Sequence, residues 1–349
     1  MYQEVIPLLK CPTCNKQLTL IESVIEGNEI IEGKLGCDCN DFWEIRDGVL
    51  DFKVEEQESV NRWSELTKDM TFDELDEMIL SKTPQNQQEL TQKTINDVIN
   101  YLNQNKPKFA VDIATGRGMM LNKLAKELEF EFHLICTDLS FVVLKADREK
   151  IQEFNPKPKV SFVSCDATNL PFFDNSCDLA LSFMGISNMR NLIPKALKES
   201  YRILKQNSIF LNSTIVIKEN SEGYKLLKEI LSEQKTEEFE EFFLVNSVVK
   251  FHNDAGFAEV NYKNIGESIG EKNELDLLPF EGEWFSIGNL YAKKVREKGQ
   301  SAEDVAKIMV ENMRANMNKP NFWIEREEIR QKAVNEVLKK REERQRENE

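Results

Sequence analysis

Two groups of residues in this chain stand at spacings that could do chemistry. The first lies in residues 109–121, FAVDIATGRGMML, where an apolar run containing Asp112 gives way to Ala114, Thr115, Gly116 and Gly118 and then to a helical pattern. Glycine at 116 and 118 lets backbone N–H groups approach a ligand closely, and the helix start beyond them favours a carboxylate or a phosphate. The second group is four cysteines, Cys11-x2-Cys14 and, after 22 intervening residues, Cys37-x-Cys39. Four thiolates around zinc are a common structural solution for a small domain with little core of its own.

What the glycine loop holds is narrowed by what it lacks. A dinucleotide fingerprint would place a third glycine at 121, where this chain has Leu121, and a phosphate loop would continue into Gly-Lys-Ser or Gly-Lys-Thr. The next apolar runs add carboxylates at their ends. FHLICTDL places Asp138 at a strand end 26 residues after Asp112, suited to accept from both hydroxyls of a ribose. VSFVSCDA ends on Asp166, suited to accept from an adenine amino group. Either aspartate alone reads equally well as a cap for the helix that follows its strand; the ordered pair behind a glycine loop favours the ligand.

The ordered set of D-x-A-x-G-x-G, the ribose-side aspartate, CDATNLPFFDNSCDLALSF and ALKESYRILKQNSIF resembles the class I S-adenosylmethionine-dependent methyltransferases, type 11-like, over about residues 86–296. That resemblance implies a Rossmann-like α/β fold with a mostly parallel seven-stranded sheet. It also implies that Asp112 and the backbone of Ala114, Thr115, Gly116 and Gly118 hold the methionine end of S-adenosylmethionine. Asp138, with Leu139, would bind the ribose, Asp166 and Ala167 would border the adenine, and Phe183 and Met184 would line the cofactor. In FMGISNMRN, Ser187, Asn188 and Met189 would face the substrate. The chain departs from the family at Ala114, where glycine is usual, and at Gln206-Asn207-Ser208 in place of Pro-Gly-Gly. Asn207 tolerates the left-handed geometry of such a turn.

The cysteine segment is similar to the zinc-ribbon family that includes the activator subunit of tRNA methyltransferases, and to the ribbon preceding some rRNA guanine methyltransferases. LLKCPTC and FWEIRDGVLDF carry the likeness. The family's second knuckle is usually C-x-x-C, which would put a cysteine at Gly36. The C-x-C pair reads either as a tighter four-thiolate loop or as a ribbon that has weakened or lost its metal. A redox role for Cys11 and Cys14 is disfavoured, because the pair opens no helix of a thioredoxin-like unit.

Around these residues four regions separate. Residues 1–52 alternate like strands, with turns expected at Gly27-Asn28 and Gly33. An acidic helical linker spans 53–85, and a helix carrying Leu90, Ile95, Val98, Ile99 and Leu102 stops before Pro107. The catalytic-type domain covers 86–296, with strand–helix alternation that argues for a parallel sheet covered on both faces, and with a helical insert at 218–246 that could form a lid. A charged helical extension occupies 297–349.

A net charge of −15 disfavours polyanions, since nucleic acids bind mainly through Lys and Arg. No stretch approaches the ~20 apolar residues of a membrane span, and MYQEVIPLLKCP lacks the marks of a leader, so a cytoplasmic protein is expected. Cys136, Cys165 and Cys177 read as small buried hydrophobes. No catalytic residue is assigned: His133 reads as a buried or edge strand residue and His252 as a surface helix residue. Trp63 and Trp284 read as packing residues before pocket residues. The N/D-P-P-Y/F tetrapeptide tied to methylation of base amino groups is absent. The expected activity is methyl transfer to a small-molecule acceptor. The alternatives are an RNA methyltransferase and a non-catalytic scaffold, with a nicotinamide oxidoreductase last, and a protein partner could dock through the ribbon or the C-terminal helix.

Overall fold

The computed structural model describes residues 1–52, 70–154, 156–233, 240–273 and 278–295, all within one compact unit, Met1–Val295. The expected extension 297–349 and Trp63 lie outside the described residues.

A short 3-10 helix, Gln3–Leu8, leads into a meander of β1 (Thr19–Glu26), β2 (Glu29–Gly36), β3 (Phe42–Arg46) and β4 (Val49–Asp51). The β1–β2 turn falls at Gly27-Asn28 as expected. Gly33 is not a turn but sits within β2, where a Cβ would lie 2.9 Å from the Glu22 carbonyl oxygen of the paired strand. Close backbone approach, not chain reversal, is what this glycine serves.

Two helices follow, α1 (Phe72–Lys82) and α2 (Gln85–Asn105). The first opens on a capping box of Thr71 with Glu74, and the second buries Leu90, Ile95, Val98, Ile99 and Leu102 along one stripe. Then come β5 (Phe109–Ile113), α3 (Met119–Glu127), β6 (His133–Asp138), α4 (Phe141–Gln152), β7 (Lys159–Ser164), β8 (Cys177–Phe183), α5 (Ile193–Ile203) and β9 (Leu204–Ile217). The chain closes through α6 (Glu222–Glu233), α7 (Val245–Asp254), β10 (Ala258–Ile269) and β11 (Trp284–Lys293).

All eleven strands of the described residues join one sheet in the order β1-β2-β3-β4-β7-β6-β5-β8-β9-β11-β10. The expected seven-stranded, mostly parallel sheet is its β7-to-β10 portion, in which only β11 runs against the rest. β4 extends it in parallel on β7, pairing Val49 with Phe162 and Asp51 with Ser164. The cysteine-bearing strands therefore continue the central sheet rather than standing apart from it.

The central strands read as unbroken apolar runs because both faces are covered. Ala110, Leu134, Cys136, Leu179 and Leu181 join one apolar cluster with α2, α3 and α4, and Leu121 is fully buried in it. The alternate residues Val111, Ile135 and Ala180 join the other, with α5, α6, α7 and the N-terminal segment. Asn207 adopts φ 66°, the left-handed conformation anticipated for it.

The strand order reverses at β5: the chain moves outward through β6 and β7, then returns to β8 on the other side. Such a switch point opens a crevice at the carboxyl ends of the two central strands, which is where ligands bind in open α/β sheets. Here those ends carry the glycine loop and the loop after β8.

Candidate cofactor and metal sites

The glycine loop leaves β5 through a run of left-handed residues, Ala114 (φ 56°), Gly116 (φ 61°) and Gly118 (φ 65°). At Ala114 that conformation costs roughly 1–2 kcal/mol. It brings the Thr115 amide within 2.9 Å of the Thr137 carbonyl, fastening the loop to β6. Across the crevice, Gly185 presses on Ala114 so closely that a Cβ would lie 2.7 Å from the Ala114 Cβ and carbonyl oxygen. Ser182 donates to the Ile113 carbonyl at 2.9 Å, tying β8 to β5 at the same end. Gly118 caps α3 without a side-chain acceptor, so the first amides of that helix face the loop.

Asp138 ends β6 and joins this arrangement directly. Its Oδ2 accepts the Gly116 amide at 2.9 Å, its Oδ1 accepts the Ser140 amide at 3.1 Å, and its carbonyl accepts the Cys165 amide at 2.8 Å. Leu139, half-buried, takes the Ser164 hydroxyl on its carbonyl. Asp166 follows β7, and both its oxygens receive Thr168, from the amide at 2.7 Å and from the hydroxyl at 2.8 Å. Neither aspartate is a helix N-cap: Ser140 caps α4 with its own hydroxyl, and no helix among the described residues stands between Asp166 and β8, so both make local turn bonds instead. A carboxylate has about four lone-pair positions, so each retains room for a ligand donor.

Asp112 is different, being only 1% exposed and having an Oδ1 with no partner. Burial, reinforced by the negative charge of Asp138 and opposed by the Thr115 hydroxyl, pushes its pKa up to about 7. A second acid, Asp147 on α4, shares this predicament and escaped the sequence reading. It is 2% exposed, its Oδ2 lacks a partner, and burial drives its pKa well above the ordinary range, with Asp138 adding to the effect and Arg117 opposing it. Its spacing from Val143, Leu144 and Ile151 on the buried stripe of α4 was the available signal. The Asp147 carboxylate abuts Gly118, whose Cβ would stand 2.8 Å from Asp147 Oδ1. Arg117, between the two glycines, pairs with Asp76 of α1, which also pairs with Lys150.

After β8, half-buried Phe183 leads into Met184 (φ 59°), whose amide donates to the Ser213 carbonyl at 3.0 Å. Ser187 and Asn188 turn back onto the Met184 carbonyl at 2.7 and 3.0 Å, so both shape the loop, while Met189 packs against the core. Ala167 is partly exposed beside Asp166. Loop ends of four adjacent strands, β5, β6, β7 and β8, are thus hydrogen-bonded into one rim.

Neither histidine belongs to it. His133 begins β6, five residues and about 17 Å of strand away from Asp138. It is buried between Tyr2 and Phe109 and bonds Ser161 Oγ at 3.0 Å. His252, expected on the surface, is fully buried. Its ring stacks on Phe210 and Phe242 and bonds the Val248 carbonyl at 2.7 Å, because α7 packs on the sheet along the face that carries it. Burial lowers both pKa values to about 4. Trp284 donates to Glu267 at 3.1 Å on the β10–β11 hairpin.

The four cysteines of the first forty residues converge. Their sulfurs all lie within 4.8 Å of one another, at 3.7 Å for Cys11–Cys39, 3.1 Å for Cys14–Cys37 and 2.7 Å for Cys37–Cys39. Tetrahedral thiolates about 2.3 Å from zinc have sulfur–sulfur edges of about 3.8 Å, so holding one ion would require the Cys37–Cys39 pair to open by about 1 Å. Left-handed Asn15 and Asn40 close the two knuckles, and the Cys39 amide donates to Cys37 Sγ at 3.3 Å. Burial opposes ionisation of Cys11, but the amides of Cys14 and Thr13 bring its pKa down to about 7. The neighbouring Cys37 holds Cys39 well above the ordinary thiol range. The four sulfurs thus form a cluster that could hold a metal ion.

A family profile described as a methyltransferase domain matches residues 110–207. The demethylmenaquinone methyltransferase of Bacteroides fragilis is 38% identical over 107 residues, covering 31% of this chain and 43% of that protein. The 2-phytyl-1,4-naphtoquinone methyltransferase of Nostoc punctiforme is 33% identical over 96 residues, covering 28% and 41%. The ubiquinone/menaquinone biosynthesis C-methyltransferase of Rickettsia prowazekii is 30% identical over 182 residues, covering 46% and 72%. The chain thus spans less than half the length of the first two relatives and nearly three quarters of the third.

Proposed function

The chain belongs to the class I S-adenosylmethionine-dependent methyltransferases, and on that premise we propose that it transfers a methyl group from S-adenosylmethionine to a small-molecule acceptor. The observation that carries this reading is the crevice at the β5–β8 switch point. There the glycine loop, the Asp138 carboxylate and the partnerless Oδ1 of Asp112 come together. A buried acid with an unused oxygen suits a cationic or donor-bearing ligand, and S-adenosylmethionine carries both an ammonium and a sulfonium.

In this reading Asp112 receives the ammonium side of the methionine end, the opening amides of α3 receive its carboxylate, Asp138 accepts from the ribose, and Asp166 borders the adenine. The bound cofactor supplies an electrophilic methyl whose carbon–sulfur electron pair stays on sulfur. The chain's own contribution is to orient and to exclude water, with Phe183, Met184 and the Ser187–Met189 turn beside the reacting end. His133 and His252, buried and engaged elsewhere, supply no general base.

The relatives that methylate quinones make a reduced quinone the first acceptor to test. Residues 1–52 hold ten acidic and four basic side chains, a balance that opposes RNA as the acceptor. Incubation with methyl-labelled S-adenosylmethionine and a demethylmenaquinol analogue, in parallel with total RNA, tests the reading. Label in the quinol extract supports it, and label only in RNA overturns it.

We also propose that Cys11, Cys14, Cys37 and Cys39 hold one structural zinc ion. What supports this is the sulfur spacing and the donor set, since four soft thiolates in one cluster suit zinc.

A further inference from the structure

We propose that metal in the four-cysteine site fixes the loop 166–173, so that zinc and S-adenosylmethionine bind cooperatively although their sites share no ligand. This rests on both readings above, the cofactor at the β5–β8 crevice and the zinc at the cysteines.

The adenine-side loop begins at Asp166, and its second half is strapped to the residues just before Cys11. The Lys10 amide donates to the Pro171 carbonyl at 3.0 Å, Leu9 and Phe172 form an antiparallel bridge, and the Phe173 amide donates to the Leu8 carbonyl at 2.9 Å. The side chains of Leu9, Cys11 and Phe172 are fully buried in the same apolar cluster. Cys11 follows Lys10 with no intervening residue, and its own amide is held by Lys16 at 2.8 Å as the knuckle turns. A metal ligand and a loop strap are therefore consecutive residues.

The loop's other support is α5. Arg202 donates to the carbonyls of Phe172 and Leu170 at 2.6 and 2.7 Å, and Glu199 accepts the Leu170 amide at 2.8 Å. Between Leu170 and Phe173, α5 holds one side of the backbone and the segment 8–10 holds the other. A small metal-closed knuckle draws its order from the ion, because the binding free energy is folding free energy there. Loss of the ion frees Cys11 and its neighbours, leaving the loop with its α5 contacts alone. Asp166, five residues before Pro171, then samples positions that do not meet the ligand. Linkage makes the effect mutual: whatever factor zinc contributes to cofactor affinity, the cofactor contributes to zinc affinity.

The test uses the full chain purified with zinc, the same protein stripped with a chelator, and the stripped protein reloaded with Zn2+. S-adenosylhomocysteine is titrated calorimetrically into each, and zinc is quantified in each. At least about fivefold weaker binding is expected after stripping, with recovery on reloading. In the zinc-loaded protein, saturating S-adenosylhomocysteine should raise zinc affinity by that same factor in equilibrium competition with a chromogenic chelator, a readout that needs no stripped protein. The variant Lys10→Pro removes the strap donor while keeping all four thiols, and Leu9 already has the extended backbone (ψ 142°) that a following proline requires. It should keep one zinc and lose the coupling. Equal affinity with and without zinc, in protein that carries one equivalent, overturns the coupling and leaves the zinc reading standing. Protein that takes up no zinc overturns the zinc reading, and binding by neither form overturns the cofactor reading, and the inference falls with either.

Discussion

Asp138 Oδ2 accepts the Gly116 amide at 2.9 Å, so the proposed ribose carboxylate also holds the glycine loop in place. One side chain at the end of β6 thus shapes the loop after β5. In Asp138→Asn, an NH2 group that cannot accept replaces one carboxylate oxygen, so either Gly116 or Ser140 loses its acceptor and the other keeps only an uncharged bond in place of a charge-assisted one. A hydrogen bond of that type contributes about 1.5–3 kcal/mol, so the affinity for S-adenosylmethionine should fall at least about tenfold, measured calorimetrically. Unchanged affinity would remove Asp138 from the site.

Gly118 meets two constraints, φ 65° and an approach of 2.8 Å between a hypothetical Cβ and Asp147 Oδ1. Gly118→Ala should destabilise by about 1–3 kcal/mol in urea unfolding. Combining it with Asp147→Ala should recover the steric part and leave the backbone part. Simple additivity of the two changes would contradict direct contact.

Asp147 also makes a pH prediction. Its folded pKa lies well above the unfolded value, so its protonated form is favoured in the fold. Stability contributed by that proton is full below the unfolded pKa, near 3.9, and is lost as pH rises toward the folded pKa. Asp147→Asn should therefore raise the unfolding midpoint more at pH 8 than at pH 5. An equal shift at both would argue that the acid is not titrating.

The histidines act at the other end of the scale. His133 and His252 titrate near 4 in the fold against about 6.5 unfolded, so each favours the folded state fully above pH 6.5 and loses that contribution as pH falls through 4. Each contributes up to about 3 kcal/mol over that window. Between pH 7.5 and 4.5, His252→Gln should lose up to about 3 kcal/mol less stability in urea unfolding than the unaltered chain does. An unchanged slope would place the imidazole in water.

The strands of the central sheet were legible because β5 to β8 are short apolar runs, and three of the four connections from β5 to β9 carry a helix; Leu121, standing where a dinucleotide fingerprint needs glycine, packs in the core. The glycine loop and the aspartates at strand ends could be named for the same reason: strand termini set their positions. Other features depend on distant partners. The three residues Val49, Leu50 and Asp51 carry no pattern that announces a parallel pairing with β7. His252 looked like a surface residue because only the packing of α7 against Phe210 and Phe242 buries it. Gly33 carried the composition of a turn and the environment of a crowded strand.

The central claim is that the crevice at β5 and β8 holds S-adenosylmethionine, and calorimetric titration of the full chain with S-adenosylmethionine and, separately, with NAD tests it most directly. Saturable one-to-one binding of the sulfonium cofactor with no heat from NAD is the predicted result. Tight binding of NAD and none of S-adenosylmethionine would contradict the account.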